Sequence, residues 1–155
     1  MAIEHLVAFR KDPTEIKDGY QETVLHVGAV YDKLEELKAV LEPRFDSAPR
    51  FKKERFSNSG KTGPEIPAKG ETFEFPNTEY LLTGNIHGIE YVVSLENIGC
   101  PVPFSMAQIH HASVRLPEGR TDEMTPIIEL EFRKYETEFN ACIRVAEANL
   151  QEATR

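Results

Sequence analysis

The sequence predicts an α+β domain in which an antiparallel β-sheet of about four to five strands is covered on one face by two long helices. Two stretches repeat apolar residues with the period of an amphipathic helix, and the chain between them alternates as strands do. The 155 residues suit one domain, which can bury about 70% of the surface of the unfolded chain. We therefore predict a single domain over residues 1–155 that needs no disulfide or metal to hold its core.

The first helix is predicted between residues 12 and 43. Asp12, Pro13 and Glu15 supply a capping residue, a proline at the first helical position and an acid three residues after the cap. Pro43 is expected to end this helix, and Gly19 weakens it. Its apolar residues follow at a mean step of about 3.6 residues: Ile16, Tyr20, Val24, Val27, Tyr31, Leu34, Leu37 and Leu41.

The second helix is predicted to begin where Pro126 follows Thr125. Its stripe contains Ile128, Phe132, Tyr135, Phe139, Cys142, Ala146 and Leu150. Two helices of this length would reach the edge of a globule about 40 Å across, which favours association with another copy that covers their ends. We therefore expect a homo-oligomer, with a dimer favoured, although a kink at Gly19 would remove this argument.

The middle of the chain is predicted to form a hairpin from Tyr80 to Leu95, with its two-residue turn at His87 and Gly88. The expected core-face pairs are Ile86 with Ile89, Gly84 with Tyr91, Leu82 with Val93, and Tyr80 with Leu95. Tyr91 is expected to cover Gly84. Further strands are expected at Ile3–Phe9, Thr72–Phe75 and Gln108–Leu116, although residues 104–114 are also compatible with a helix.

The charge is uneven along the chain. The formal net charge is -8, which argues against a nucleic-acid binder that uses its whole surface. Between Arg44 and Gly70, however, seven cations stand against three acids, a local sum of +4, so the remainder carries -12. Prolines and glycines interrupt the same segment. We therefore predict that residues 44–70 form a long, basic, irregular loop inside the domain.

Three arginines in this segment each precede a phenylalanine, at Arg44-Phe45, Arg50-Phe51 and Arg55-Phe56, and Lys52 and Lys53 lie between them. Aromatic rings stack on bases while guanidinium groups bind phosphate, so this pattern is typical of nucleotide or single-strand capture. Alternatively, the phenylalanines anchor the loop to the core and the cations stay in water. Ser59–Gly63 ends like a phosphate-binding loop, but Arg55 stands where its first glycine should be, so only loose anion binding by Lys61 is expected.

Histidines and cysteines show no spacing that indicates a metal site, and we expect no metal, cofactor or assigned catalytic residue. On a strand His110 would face the core with a satisfied hydrogen bond, and His111 would face the other way with Arg115. Cys100 and Cys142 are expected to be reduced, with a disulfide between them left open. Because no apolar run is long enough to span a bilayer and no signal peptide is recognisable, a soluble, cytoplasmic protein is expected.

The leading hypothesis is a non-catalytic binding protein that captures an anionic, nucleotide-like ligand or an acidic partner surface. Its predicted site residues are Arg50, Lys52, Lys53, Arg55, Phe56, Lys61 and His111. The first alternative is a protein-interaction module or inhibitor that acts through its helices and hairpin. Single-stranded nucleic-acid binding is a second alternative, and a hydrolase that uses His111 and a nearby carboxylate is the last.

Overall fold

The computed structural model describes residues 8–57, 76–101 and 106–153, which form seven strands and two α-helices. The elements in chain order are β1 (Arg10–Lys11), β2 (Glu15–Lys17), β3 (Tyr20–Ala29), α1 (Leu34–Leu41), a 3-10 turn (Glu42–Arg44), β4 (Arg50–Ser57), β5 (Pro76–Ile86), β6 (Ile89–Pro101), β7 (Met106–Pro117) and α2 (Thr125–Ala153). The class is α+β, but the prediction of four to five strands under two long helices was wrong, because the sheet has seven strands and α1 is short.

The strands form one antiparallel sheet in the order β1-β3-β7-β6-β5-β4, and β2 also pairs with β3. Strands β4 to β7 follow one another as a meander. The last of them, β7, then pairs along the whole of β3, from Tyr20 opposite Pro117 to Ala29 opposite Gln108. At the far end of the sheet β4 pairs with β5 alone within the described residues, so β4 is a long edge strand.

The helix predicted between residues 12 and 43 is replaced by two strands, β2 and β3, and the eight-residue α1. In β3 the buried side chains alternate, at Thr23, Leu25 and Val27, and Leu25 was not part of the predicted stripe. A turn before β3 breaks the pattern, since Asp18 and Gly19 both have positive φ, 55° and 83°. β-branched residues favour strands, and pairing with β7 outweighs the local helical period.

Helix α2 begins at Thr125, as predicted, and its first half packs on the sheet. The Asp122 carboxylate accepts hydrogen bonds from the backbone N–H groups of Met124 and Thr125, both at 2.9 Å, and so caps the helix. The buried residues of its stripe are Ile128, Phe132, Tyr135 and Phe139. The 29 residues span about 44 Å. Beyond Phe139 the side chains of Cys142 and Val145 are exposed, so the second half of α2 extends past the core.

The hairpin has the predicted register, with all four core-face pairs opposite each other. His87 and Gly88 have φ of 52° and 75°, as a two-residue turn of the I′ type requires. Gly84 lies under Phe45, because a Cβ at Gly84 would be 2.8 Å from Phe45 Cδ1, and Tyr91 is its directly opposed residue on β6. β7 shows that residues 108–116 form a strand, whereas the strand predicted at 72–75 and most of the one at 3–9 lie outside the described residues.

The sheet has two different faces. Both helices pack on one face, which we call the helix-covered face, and the core lies there. In each strand, the residues that alternate with the core residues point to the opposite side, which we call the open face. The open face carries Glu22, Val24 and His26 of β3, His111, Ser113 and Arg115 of β7, Val92, Ser94 and Glu96 of β6, Glu79, Leu81 and Thr83 of β5, and Arg50, Lys52 and Glu54 of β4. Neither helix, over its described residues, combines the length and apolarity needed to span a bilayer.

Candidate functional site

The basic aromatic segment that was predicted to be an irregular loop forms strand β4 from residue 50 to residue 57. This part of the prediction was wrong because the prolines and glycines that suggested a loop flank the strand and do not interrupt it. Inside the strand, Phe51 lies opposite Leu82 of β5 and Lys53 lies opposite Tyr80. The rest of the predicted loop after Ser57, including Lys61, lies outside the described residues.

The strand conformation divides the predicted site residues between the two faces of the sheet. Arg50 and Lys52 lie on the open face, where Lys52 Nζ is 2.8 Å from Glu54 Oε1. Lys53 and Arg55 lie on the helix-covered side. There Lys53 Nζ is 5.3 Å from the centre of the Tyr80 ring. The four cations therefore line both sides of one edge strand and do not surround one pocket.

The charges of β4 are only partly balanced by neighbouring acids. Glu54 raises the pKa of Lys52 by hydrogen bonding to its ammonium group. Lys53 Nζ lies 4.0 Å from the carboxylate of Glu35, at the limit of an ion pair. Exposed ion pairs of this kind are weak and can exchange for another anion. Arg50 and Arg55 make no ion pair within the part of the chain that the structure describes.

The three phenylalanines have different environments. Phe45 is 6% exposed and packs against Gly84, as the anchoring alternative expects. Phe51 is 41% exposed, but Lys38 Nζ lies over its ring at 4.3 Å from the centroid. A base could stack on that face of Phe51 only by displacing Lys38. Phe56 belongs to β4, opposite Asn77, and the placement of its side chain lies outside the description.

His111 lies on the open face, as predicted, but three strands away from β4, which corresponds to about 14 Å. Its direct neighbours across the strands are Glu96 on β6 and His26 on β3, and the two imidazole rings are 4.5 Å apart. His26 Nε2 lies 3.0 Å from Asp12 Oδ2. The structure therefore groups His111 with an acid and a second histidine, and not with the cations of β4.

Burial changes the protonation of His111. It lowers the pKa of His111 to about 4, helped by His26 and Arg10, so His111 is neutral near pH 7. Burial also raises the pKa of Glu96, and the carboxylate of Glu79 directly opposite adds to that effect. A neutral imidazole adds no positive charge, so His111 contributes little to the attraction of an anion at neutral pH.

Two charged residues of α1 near β4 were not predicted as site residues. Glu35 accepts a hydrogen bond of 2.6 Å from the Tyr80 hydroxyl, and Lys38 lies over Phe51. Their positions depend on how α1 packs against the sheet, for which the sequence contains no local signal. A separate shallow cleft of about 360 Å³ lies at the other end of the open face and carries both charges, so it does not select anions. Its lining residues are Glu15, Lys17, Asp18, Tyr20, Glu22 and Arg115.

No protein-family model matches the sequence, and no curated protein matches it. Among the described residues, no three His, Cys, Asp or Glu side chains are grouped so that they could hold a metal ion. The function therefore has to be inferred from geometry and charge. In the described residues the strongest concentration of positive charge is β4, an exposed strand at the edge of the sheet.

Proposed function

We propose that the protein is a binding module that captures an acidic segment of a partner protein by strand addition along β4. The observation that carries this proposal is the presence of cations on both faces of an exposed edge strand. A small anion contacts one face of a strand at a time. A chain that pairs with β4 places its own side chains alternately on both faces, opposite all four cations.

Charge complementarity favours an acidic occupant. Four cations and Glu54 give β4 a net charge of +3. Because the whole chain carries -8, the rest of the chain carries -11. An acidic segment is repelled by most of the surface and attracted to this strand, which directs its encounter to one place. A nucleotide shares this attraction but uses only the cations of one face.

The backbone of β4 supplies the second part of the interaction. An edge strand presents unpaired N–H and C=O groups along its outer side, and residues 50–55 are all exposed. Lysine and arginine on an edge also prevent pairing with another copy, since two β4 strands would bring +3 against +3. The same charges therefore reject self-association along this edge and select an acidic strand.

The proposal defines a test peptide of eight residues that runs antiparallel to β4. Glutamates lie opposite Arg50, Lys52, Lys53 and Arg55, a lysine lies opposite Glu54, and apolar residues lie opposite the phenylalanines. Four cross-strand ion pairs are individually weak, but together they should tighten binding about ten- to a hundredfold over an uncharged peptide. Fluorescence anisotropy of the labelled peptide measures this difference.

Charge reversal on the protein provides the matched comparison. The double variant Arg50→Glu and Arg55→Glu should lose binding, because it removes a cation from each face. The control variant Arg120→Glu and Arg144→Glu makes the same change in total charge at exposed positions outside β4, and it should still bind the peptide. Equal loss in both variants would mean that total charge, and not the strand, attracts the peptide.

Backbone methylation distinguishes strand addition from electrostatic attraction alone. An added strand pairs through the N–H groups of alternate residues, so N-methylation at one set of alternate positions should abolish binding and at the other set should not. Equal effects of the two sets would refute strand addition. Saturable binding of ATP or of oligothymidylate, without binding of the peptide, would instead support the nucleotide or single-strand alternatives.

A further inference from the structure

A row of polar side chains crosses the helix-covered face of the sheet, which is otherwise mainly apolar. Thr78, Asn97 and His110 occupy directly opposed positions on β5, β6 and β7. Their exposures are 9%, 5% and 0%, so all three lie in the interior. Buried polar groups are almost always hydrogen-bonded, and this row therefore raises the question of which partners satisfy it.

The hydrogen bonding of His110 fixes the position of its proton. His110 Nε2 lies 2.9 Å from the backbone nitrogen of Lys33 and accepts a hydrogen bond from its N–H group. A nitrogen that accepts a hydrogen bond carries no proton, so the neutral ring carries its proton on Nδ1. Burial lowers the pKa of His110 to about 4, which agrees with a neutral ring. His110 thus has an N–H donor at Nδ1.

Two atoms of this row make no hydrogen bond of good geometry within the described part of the chain, and they are complementary. The backbone of Ile109 lies near enough to His110 to raise its pKa, but it does not form a hydrogen bond of good geometry with Nδ1. His110 Nδ1 is a donor, and Asn97 Oδ1 is an acceptor. Directly opposed residues of paired strands have Cβ atoms about 5 Å apart, so one small group can contact both side chains. That group must accept one hydrogen bond and donate another. A hydroxyl does both, whereas a carbonyl cannot donate and an ammonium cannot accept.

We propose that Asn97 and His110 form a buried binding site for a single O–H group, which accepts a hydrogen bond from His110 Nδ1 and donates one to Asn97 Oδ1. The O–H group belongs either to a water molecule or to the alcohol of a small molecule held between the sheet and the helices. Both sources have the same hydrogen-bonding chemistry. The site does not involve β4, so the failure of either proposal would leave the other unaffected.

Direct observation tests the site in the unmodified protein. A high-resolution crystal structure should show density within hydrogen-bond distance of both atoms, and ¹⁵N NMR should place the proton of His110 on Nδ1 at neutral pH. Native mass spectrometry separates the two sources, because an alcohol adds its mass to the protein and a single water does not remain as a defined adduct. A proton on Nε2, or an empty space between the two atoms, would overturn the proposal.

Substitution of Asn97 gives an independent measurement. If an O–H group bridges the two residues, Asn97→Leu leaves the bridging group and the His110 donor without a partner, and the melting temperature should fall by roughly 3 to 9 °C. If Asn97 Oδ1 is unpaired, the apolar side chain of similar size should leave the melting temperature unchanged or raise it. The second result would count against the site even where the variant folds normally.

Discussion

Substitution of Gly84 by alanine tests how the connection after α1 packs on the hairpin. A Cβ at this position would lie 2.8 Å from Phe45 Cδ1, 3.3 Å from Phe45 Cε1 and 3.2 Å from Pro49 Cβ. Carbon atoms that are not bonded are ordinarily about 3.5 to 4.0 Å apart, so the ring must move by more than half an ångström. Phe45 is buried, and such overpacking costs about 1 to 3 kcal/mol.

Gly84→Ala is expected to lower the free energy of unfolding by about 1 to 2 kcal/mol. This is less than the full packing cost, because alanine also restricts the unfolded chain, which partly offsets the loss. In a chain of 155 residues this lowers the melting temperature by roughly 3 to 6 °C. Urea unfolding measures the free energy in four proteins: the parent, Gly84→Ala, Phe45→Leu and the double variant. The smaller leucine leaves room for the new methyl group, so the effect of Gly84→Ala should nearly vanish in that background.

A control separates this contact from backbone strain. Gly119 has φ of +83° and no atom within 4 Å of its virtual Cβ, so Gly119→Ala should destabilise through its backbone and should not respond to Phe45→Leu. Gly84 has no positive φ of this kind. The same cost for Gly84→Ala in both backgrounds would refute the contact with Phe45 as its cause.

Two further predictions concern the buried histidine and the long helix. His110 titrates near pH 4 when folded and near 6.5 when unfolded, so the unfolded chain binds its proton first and stability should fall as the pH drops from about 6.5 to about 4, by up to roughly 3 kcal/mol. Urea unfolding at pH 7 and pH 4 measures the total fall, to which His111 also contributes because its pKa is lowered to about 4 as well. The fall should be smaller in His110→Gln, and an equally steep fall in that variant would contradict the assignment to His110. The turn at Asp18 and Gly19 removes the argument for a dimer from two long helices, so the expectation of a dimer rests on α2 alone, whose second half extends past the core and exposes Val145 at 61%. Light scattering should give the mass of a dimer, and Val145→Glu should give a monomer. A monomeric parent protein would show that α2 needs no second copy.

The hairpin and α2 could be predicted because their signals are local. The turn residues His87 and Gly88 and the alternation on either side of them set the register without reference to the rest of the chain. The start of α2 is fixed by a proline next to Thr125 and by a long apolar stripe. Neither element changes its conformation to suit a distant partner.

Strand β3 could not be predicted, because its apolar residues fit a helical period and a strand alternation about equally well. The partner that decides between them is β7, which lies far along the chain. For the candidate site, the sequence predicted which charged residues it contains but not how they are arranged. Counting cations near Arg50 and Arg55 detected the positive charge, but their distribution over two faces depends on the strand conformation of β4, and that changes the kind of ligand that fits.

The pairing of β3 with β7 also determines when the protein can fold. Tyr20 and Pro117 are 97 positions apart (117 minus 20). The ribosome therefore has to synthesise most of the sheet before β3 can pair with β7. Until then Leu25, Val27 and Ala29 have no β7 to pair with and no α2 to cover them. Chains released before residue 106 therefore carry an apolar strand that pairs only with the short β1 and β2, and in the cell they should depend on chaperones or be degraded.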